Sequence, residues 1–324
     1  MQWRGNWWVT AAAFLALAAV APARAQDWPQ RQVRIVVPYA PGGVTDDAAR
    51  FVARHLGEAF GQPFVVENRP GASGAIAAEA VARSPADGYT LFLASLPQIA
   101  IMPVTVKTSF DPLRDVVPIS AIATNPLVLT VHPSLPVKSV ADFVAYARDQ
   151  GGQLTYAALG VGSITHLVMA LFLKRAGIEM TPVMYKGGAP AVTDLLAGHV
   201  KVHFATVSGV VPYATGNLLR LLAVSSAQRV SQLPNVPTVS ESGYPGFEVL
   251  SWTGLMAPAG TPKEIVDRIA REVARAAKNP QASAPLAAVG LDPLGNTPEE
   301  FAAMIAADIP LWAEAVKIAG VGEK

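Results

Sequence analysis

Three glycine-rich turns have the residue types that suit binding of a negatively charged group. They are Pro41-Gly42-Gly43-Val44-Thr45-Asp46, Leu159-Gly160-Val161-Gly162-Ser163 and Lys186-Gly187-Gly188-Ala189-Pro190. Each precedes a segment with helical spacing of its apolar residues. Glycine lets backbone N–H groups approach a ligand closely, and the positive end of a helix dipole favours an anion such as a carboxylate. The three turns together predict a carboxylate site built from backbone amides rather than from charged side chains.

Side chains near these turns have structural interpretations beside the functional one. Thr45 or Asp46 is predicted to cap the first helix, and Ser163 the second. Pro190 suits the first position of the third helix, with Asp194 one turn further on. Acids in a first turn are also favoured by the helix dipole without any ligand. His166 is read either as a ligand contact or as a buried, hydrogen-bonded histidine.

The predicted ligand-binding set combines these turns with residues that end neighbouring strands. Its members are Tyr39, Gly42, Gly43, Val44, Thr45, Asp46, Ser95, Leu159, Gly160, Gly162, Ser163, His166, Ala189, Pro190, Asp194 and Thr206. No cofactor, metal ion or catalytic residue is predicted.

Enzymatic alternatives match the sequence less well. Ser163 with His166 could form a hydrolase pair, but no acid is placed to orient the imidazole. The sequence lacks a Gly-x-Ser-x-Gly elbow, a complete dinucleotide fingerprint and a P-loop. His199 and His203 are four residues apart on a predicted strand, which is a poor pattern for zinc. A non-enzymatic binding protein is therefore the preferred interpretation.

The chain alternates strand-like and helix-like segments, which predicts an α/β fold with a mostly parallel sheet covered on both faces. The predicted strands are Val33–Val37, Phe64–Glu67, Thr90–Leu93, Leu127–Val131, Thr155–Ala158, Thr181–Tyr185, Val200–Ala205 and Arg220–Val224. From Thr261 onward the pattern is helical, and Lys263–Lys278 is predicted as the longest helix of this C-terminal region.

The first 25 residues predict an export signal. Arg4 is followed by an uncharged Ala- and Leu-rich stretch and then by Ala23-Arg24-Ala25, so cleavage is expected after Ala25. A retained membrane anchor is the alternative, and the Thr- and Pro-interrupted segment suits it poorly. The chain has no cysteine, which excludes a lipid-anchored cysteine and predicts a soluble periplasmic protein.

Charge excludes long-range attraction of nucleic acid or anionic membrane. The chain has 25 basic and 24 acidic residues, and removing Arg4 and Arg24 with the signal leaves 23 basic residues. A mature chain that is nearly neutral must capture an anion by local geometry. The 299 residues after the signal suit two domains.

Motifs along most of the chain resemble the Bug family, the extracytoplasmic solute receptors of tripartite tricarboxylate transporters. The matching segments are Trp28-Pro29, Ile35-Val36-Val37-Pro38, Pro41-Gly42-Gly43-x-x-Asp46-x-x-Ala49-Arg50, Val66-Glu67-Asn68-Arg69-Pro70-Gly71-Ala72, Asp87-Gly88-Tyr89-Thr90-Leu91, Gly160-x-Gly162-Ser163-x-x-His166-Leu167, Tyr185-Lys186-Gly187-x-Ala189-Pro190-Ala191, Leu233-Pro234-x-Val236-Pro237-Thr238 and Ala257-Pro258-Ala259-Gly260-Thr261-Pro262. They occur in the family's order from Trp28 to near the C-terminus.

The resemblance implies a type II periplasmic-binding fold, in which two doubly wound α/β domains joined by two crossing strands enclose a ligand cleft. Pro-containing stretches place the crossings so that residues 26–126 with 246–324 form domain 1 and residues 127–245 form domain 2. The implied ligand is a small carboxylate, and the implied partners are membrane transporter subunits or a sensor ectodomain. A monomer is expected, and a ligand-independent periplasmic scaffold is the other alternative.

One departure from the family pattern bears on the ligand. Ala205 follows Phe204 where some amino-acid receptors of the family carry an acid. Because nothing there would pair with a ligand amine, the sequence favours a plain or aromatic carboxylate over an amino acid.

Overall fold

The computed structural model describes residues 28–321, so the predicted export signal lies outside the described residues. The strands in this range are β1 Val33–Val37, β2 Phe64–Asn68, β3 Thr90–Ser95, β4 Val116–Val131, β5 Thr155–Ala158, β6 Thr181–Met184, β7 Val202–Thr206, β8 Arg220–Val224, β9 Leu250–Pro258 and β10 Asp292–Pro293.

Helices fill the connections between these strands. They are α1 Val44–Phe60, α2 Ala75–Ala82, α3 Met102–Thr105, α4 Val140–Asp149, α5 Ile164–Ala176, α6 Gly188–Leu196, α7 Val207–Ala214, α8 Lys263–Lys278, α9 Pro280–Ala288 and α10 Pro298–Ala319. A π-helical turn spans Pro97–Ile101, and 3₁₀ turns span Ala72–Gly74 and Thr215–Asn217. None of the helices within residues 28–321 combines the length and the apolar character of a membrane span.

The strands form one curled, mixed sheet in the order β2-β1-β3-β9-β4-β7-β5-β6, with β8 and β10 also pairing with β4. β1 is parallel to β2 and β3, and β5 is parallel to β6 and β7. β9 is antiparallel to β3 and β4, and β4 is antiparallel to β7. The long strand β4 therefore belongs to both halves of the sheet: residues 116–126 pair with β9, and residues 127–131 pair with β7.

Apolar side chains cover both faces of the sheet, as the alternating pattern predicts. One cluster lies between the first half of the sheet and the helices α1 and α8, and another lies under α6 and α7 of the second half. A third cluster extends across both halves and includes α10, which packs against α5 and the π-helical turn. Within it Phe301 stands edge-on to Trp252 at 5.0 Å, and Gly254 leaves room for that ring.

The structure confirms the predicted bounds of β1, β5 and β8 and corrects several others. The strand predicted over Val200–Ala205 is Val202–Thr206. The predicted Leu127–Val131 is only the second part of β4, because Pro126, read as a break, still pairs with β9. α10, with 22 residues and Pro310 inside it, is longer than Lys263–Lys278, with 16 residues. β9 was not predicted, since Ser251, Thr253 and Gly254 interrupt its apolar run.

Candidate functional site

The register of β4 brings the strand ends of both halves to one junction. Ser95, the last residue of β3, lies opposite Thr253, which in turn pairs with Ala123 of β4. Thr206, the last residue of β7, lies opposite Leu127 of the same strand. Ala123 and Leu127 are four residues apart, which is about 13 Å along a strand. The turns that follow the parallel strands of the two halves therefore lie on either side of this junction.

The first turn is held by Asp46, whose carboxylate accepts four hydrogen bonds. Arg50 donates two of them, at 2.8 and 3.3 Å, Asn68 Nδ2 donates one at 2.9 Å, and the Gly42 N–H donates one at 3.0 Å. Burial alone would raise the pKa of Asp46, but these donors lower it below its ordinary value. Because Arg50 pairs with the Asp46 carboxylate, this buried acid does not present an uncompensated negative charge.

Helix α1 begins at Val44 with Gly43 as its N-cap, and no side chain caps it. The prediction that Thr45 or Asp46 caps this helix is therefore wrong, since both lie inside the first turn and are buried. The first intrahelical bond runs from Asp47 N–H to the Gly43 carbonyl at 3.0 Å. Within the described residues no acceptor takes the N–H groups of Val44 and Thr45, which leaves them open to a ligand.

A buried polar network supports this wall from behind. The Tyr39 hydroxyl lies 3.0 Å from Ser95 Oγ, and Ser95 Oγ donates to Gln98 Oε1 at 2.7 Å. Gln98 Nε2 donates to the Tyr39 hydroxyl at 3.0 Å and to the Ser73 carbonyl at 3.1 Å. Tyr39 and Ser95 were predicted as site residues, and their hydroxyls join the ends of β1 and β3. Gln98 was not predicted, although it is a polar residue within an otherwise apolar stretch.

The second turn repeats the arrangement of the first with different residues. Gly162 N–H donates to His166 Nδ1 at 3.2 Å, and Leu159 N–H donates to Thr165 Oγ1 at 2.9 Å. In each turn, then, side chains of the following helix accept hydrogen bonds from some of the backbone N–H groups of the glycine turn. The amides of Gly42, Leu159 and Gly162 therefore already have acceptors within the protein.

Other amides of the second turn have no partner in the described part of the chain. They are the N–H groups of Gly160 and Val161 in the turn and those of Ile164 and Thr165 in the first turn of α5. Gly160 has φ +107, a conformation that glycine adopts without strain. The second half of the sheet thus also presents open donors at the junction.

The side chains of Ser163 and His166 do not bond to each other within the described residues. Ser163 is the N-cap of α5, as predicted, and its Oγ accepts the His166 backbone N–H at 3.3 Å. The imidazole points its Nδ1 at Gly162 instead of at this hydroxyl, and burial lowers the pKa of His166. His166 is thus a buried, hydrogen-bonded histidine that shapes the turn.

The third turn places its predicted residues less favourably. Helix α6 begins at Gly188, so Pro190 is its third residue. The prediction that Pro190 occupies the first position is wrong. Ala189 and Pro190 are exposed, and the N–H groups of Gly188 and Ala189 have no acceptor among the described residues. The Asp194 carboxylate accepts a hydrogen bond from the Tyr185 hydroxyl at 2.9 Å and lies 3.4 Å from His199 Nδ1. It therefore links α6 to the residues that precede and follow this helix.

Two exposed valines line the two main turns. Val44 is 37% exposed at the start of α1, and Val161 is 69% exposed in the second turn. Val161 was not predicted as a site residue. The sequence feature that could have indicated it is an apolar residue between two glycines, which suits an exposed turn that contacts a ligand.

The histidine pair considered for zinc is divided between two environments. His203 is buried, its Nδ1 lies 2.9 Å from the Ala157 carbonyl, and burial lowers its pKa to about 4. His199 is exposed and faces Asp194. Within residues 28–321, no group of three or more His, Asp or Glu side chains could hold a metal ion.

Comparison with known proteins places the chain in one family. Residues 48–321 match the family described as "Tripartite tricarboxylate transporter family receptor". Protein BugT of Bordetella pertussis is 38% identical over 314 residues, which cover 95% of each chain.

Solved structures agree with this assignment. One titled "R. palustris Rpa4515 with adipate" is 40% identical, covers 91% of this chain and 99% of its own, and has a TM-score of 0.77. MatC (Rpa3494) from Rhodopseudomonas palustris, with bound malate, is 30% identical, covers 89% and 100%, and has a TM-score of 0.72. The fold is therefore the periplasmic-binding type, and the chain belongs to the Bug-type receptor family of tripartite tricarboxylate transporters.

Proposed function

We propose that this receptor captures a small carboxylate at the junction between the two halves of the sheet. The observation that carries the proposal is the pair of helix starts there, each with N–H groups that have no acceptor within residues 28–321. These groups belong to Val44 and Thr45 on one side and to Val161 and Ile164 on the other. Backbone donors at helix N-termini suit an anion, and each charge-assisted hydrogen bond contributes about 1.5–3 kcal/mol. The buried acid of the first wall is neutralised by Arg50, so it does not repel an anion.

The proposed ligand has an apolar part as well as its carboxylate. Val44 and Val161 offer exposed apolar surface beside the open amides, and burying such surface favours a hydrocarbon chain or ring by about 25 cal/mol per Å². Two relatives were solved with adipate and with malate. A plain or aromatic carboxylate is preferred over an amino acid, because Ala205 offers no charge for an amine.

We further propose that the two halves act as domains that close around the ligand, with residues 26–126 and 246–324 in one and residues 127–245 in the other. The register supports this division near β4, since Pro126 pairs with β9 and Leu127 pairs with β7. A ligand that touches both domains favours the closed state by its differential affinity. Small-angle scattering should show a smaller radius of gyration when ligand is added. An unchanged radius at saturation would contradict closure.

The proposed cellular role is that of an exported receptor, freed by cleavage after Ala25, which delivers its ligand to membrane transporter subunits or to a sensor ectodomain. It is proposed to work as a monomer without a cofactor. Mass spectrometry of the intact periplasmic protein tests the cleavage, since the mature chain should begin at Gln26. Recovery of the protein with residues 1–25 attached would contradict it.

Calorimetry with a panel of acids tests the binding function. The panel contains adipate, succinate, benzoate and glutamate, with the dimethyl ester of adipate and methyl benzoate as neutral controls. At least one acid should bind while its ester does not, because the ester lacks the charge that the amides hold. Equal binding of acid and ester, or no binding of any acid, would contradict the proposal. Exclusive binding of glutamate would reverse the preference against amino acids.

The hydrolase alternative is tested with Ser163→Ala. This variant should lose about 1 kcal/mol of unfolding free energy through loss of the N-cap. Turnover of an ester by the wild type that disappears in the variant would support the hydrolase instead.

A further inference from the structure

Two buried polar groups on the crossing strands have no hydrogen-bond partner among residues 28–321. Asn125 on β4 is 7% exposed and Thr253 on β9 is 5% exposed, and the atoms without a partner in this range are Asn125 Oδ1 and Thr253 Oγ1. Buried polar atoms in folded proteins are almost always paired, so an unpaired one calls for an explanation such as a bound molecule. Both groups lie in strands that run through the junction described above.

Other buried hydroxyls of these strands are satisfied within the protein. Thr130 Oγ1 donates to the Val128 carbonyl at 3.2 Å, and Ser120 Oγ donates to the Asn296 carbonyl at 2.7 Å. Buried hydroxyls elsewhere on β4 thus find partners within the protein, whereas the Thr253 hydroxyl at the junction does not.

Strand pairing puts both groups on one face of the sheet. Thr253 lies opposite both Ser95 and Ala123, and Asn125 lies two residues beyond Ala123 on β4. Residues that face each other across a pair, and residues two apart along a strand, share a face. A short polar row therefore runs from Ser95 at the end of β3, across Thr253 on β9, to Asn125 on β4.

The opposite face at this level has a different environment. Trp252, which precedes Thr253, turns its ring toward α10, where its Nε1 donates to Asp308 Oδ2 at 2.6 Å. The Asn125 and Thr253 groups are thus separated from α10 by the sheet. Tyr39, which bonds Ser95, joins the face of the polar row to the first turn.

We propose that Asn125 and Thr253 form a subsite at the floor of the junction that binds a hydroxyl group of the carboxylate ligand. This inference rests on the proposed function. An amide oxygen accepts a hydrogen bond, and a threonine hydroxyl both donates and accepts. A hydroxyl satisfies both groups at once, whereas an ionised carboxylate only accepts and leaves the amide oxygen unpaired. The receptor should therefore distinguish a hydroxy acid from the same acid without its hydroxyl.

Calorimetry with matched pairs of acids tests the subsite. The probes are malate with succinate and 4-hydroxybenzoate with benzoate, each measured on the wild type, Thr253→Val and Asn125→Leu. In at least one pair the wild type should bind the hydroxylated acid at least 10-fold more tightly. Each variant should reduce that ratio to about 2 or less, while the affinity for the unhydroxylated acid changes by no more than about threefold.

Thr130→Val is the matched control, because its hydroxyl is also buried on β4 but is already paired. It should lower the melting temperature and leave the ratio of affinities unchanged. Thr253→Val, which removes an unpaired hydroxyl, should leave the melting temperature of the free protein unchanged or raise it. A clear fall in the melting temperature of Thr253→Val would show that its hydroxyl has a structural partner, against the proposal.

The remaining outcomes separate this subsite from the proposed function. A wild type that binds acids without distinguishing the members of any pair overturns the subsite alone. If a variant loses the same factor of affinity for both members of a pair, a bound water occupies the floor of the junction. That result likewise overturns the assignment to a ligand hydroxyl. A wild type that binds no acid overturns the proposed function, and the subsite with it.

Discussion

Replacing Val44 by proline removes one of the open amides with little disturbance of the fold. Val44 is the first residue of α1, and its N–H has no acceptor in the described chain. Proline is favoured at this position, because its ring fixes a helical φ and the missing N–H breaks no intrahelical bond. Gly43 before it has φ −100 and ψ 167, the extended conformation that proline requires of its predecessor. The unfolding free energy should therefore change by no more than about 0.5 kcal/mol.

The effect on binding should be far larger. One charge-assisted hydrogen bond contributes about 1.5–3 kcal/mol, which corresponds to a dissociation constant raised about 10- to 150-fold. Val44→Ala is the matched control, because it keeps the N–H and removes only part of an exposed side chain. Its loss should be no more than about 1 kcal/mol, or roughly fivefold.

Calorimetry with an acid that binds the wild type measures both variants, and urea denaturation verifies their stability. The reasoning is refuted if the proline and alanine variants bind equally well. Ile164→Pro with Ile164→Ala repeats the comparison at the first residue of α5, after Ser163 with φ −67 and ψ 157. The second pair decides the question if the first proline variant is unstable.

Three further predictions concern stability and are measured by urea denaturation. Asp46→Asn should lower the unfolding free energy by about 1–3 kcal/mol at pH 7, because it disturbs four hydrogen bonds. Since the pKa of Asp46 is lowered, this difference from the wild type should vanish as the pH falls through that pKa. A difference that persists in acid would contradict the prediction. Burial raises the pKa of Asp308 to about 6. The unfolding free energy of the wild type should therefore fall by about 2–3 kcal/mol relative to that of Asp308→Asn as the pH rises from 4 to 7. A difference between the two proteins that does not depend on pH would count against this prediction. Gly254→Ala should cost about 1–3 kcal/mol, because its Cβ would lie 2.1 Å from a ring atom of α10. Gly188→Ala, with open space at that position, should stay within about 1 kcal/mol of the wild type.

Sequence reasoning recovered the alternating architecture because buried parallel strands leave a strong local pattern. β1 and β5 are short apolar runs that end at glycine turns, and both were predicted with their observed bounds. The crossing strand β9 was missed because its residues serve two purposes. Thr253 belongs to the polar row at the junction, Ser251 pairs with Asn125 of that row, and both interrupt the periodicity that marks a strand.

The detailed donors of the site could not be read from the sequence. Which amides remain open depends on side chains one turn along each helix, such as Asp46 and His166, which bond back to Gly42 and Gly162. These hydrogen bonds depend on the three-dimensional geometry of the turn, and the spacing of the glycines does not predict them. The location of Gln98 and Thr253 beside the predicted Ser95 depends likewise on contacts and strand pairing.

Nuclear magnetic resonance of the backbone amides tests the central claim most directly. A ¹⁵N-labelled sample is titrated with an acid that binds, and the proton shift of each amide is followed to saturation. The N–H resonances of Val44, Thr45, Val161 and Ile164 should move downfield as the carboxylate accepts their hydrogen bonds, and those of Gly42 and Gly162 should move less. Saturable binding that leaves the first four resonances in place would contradict the account.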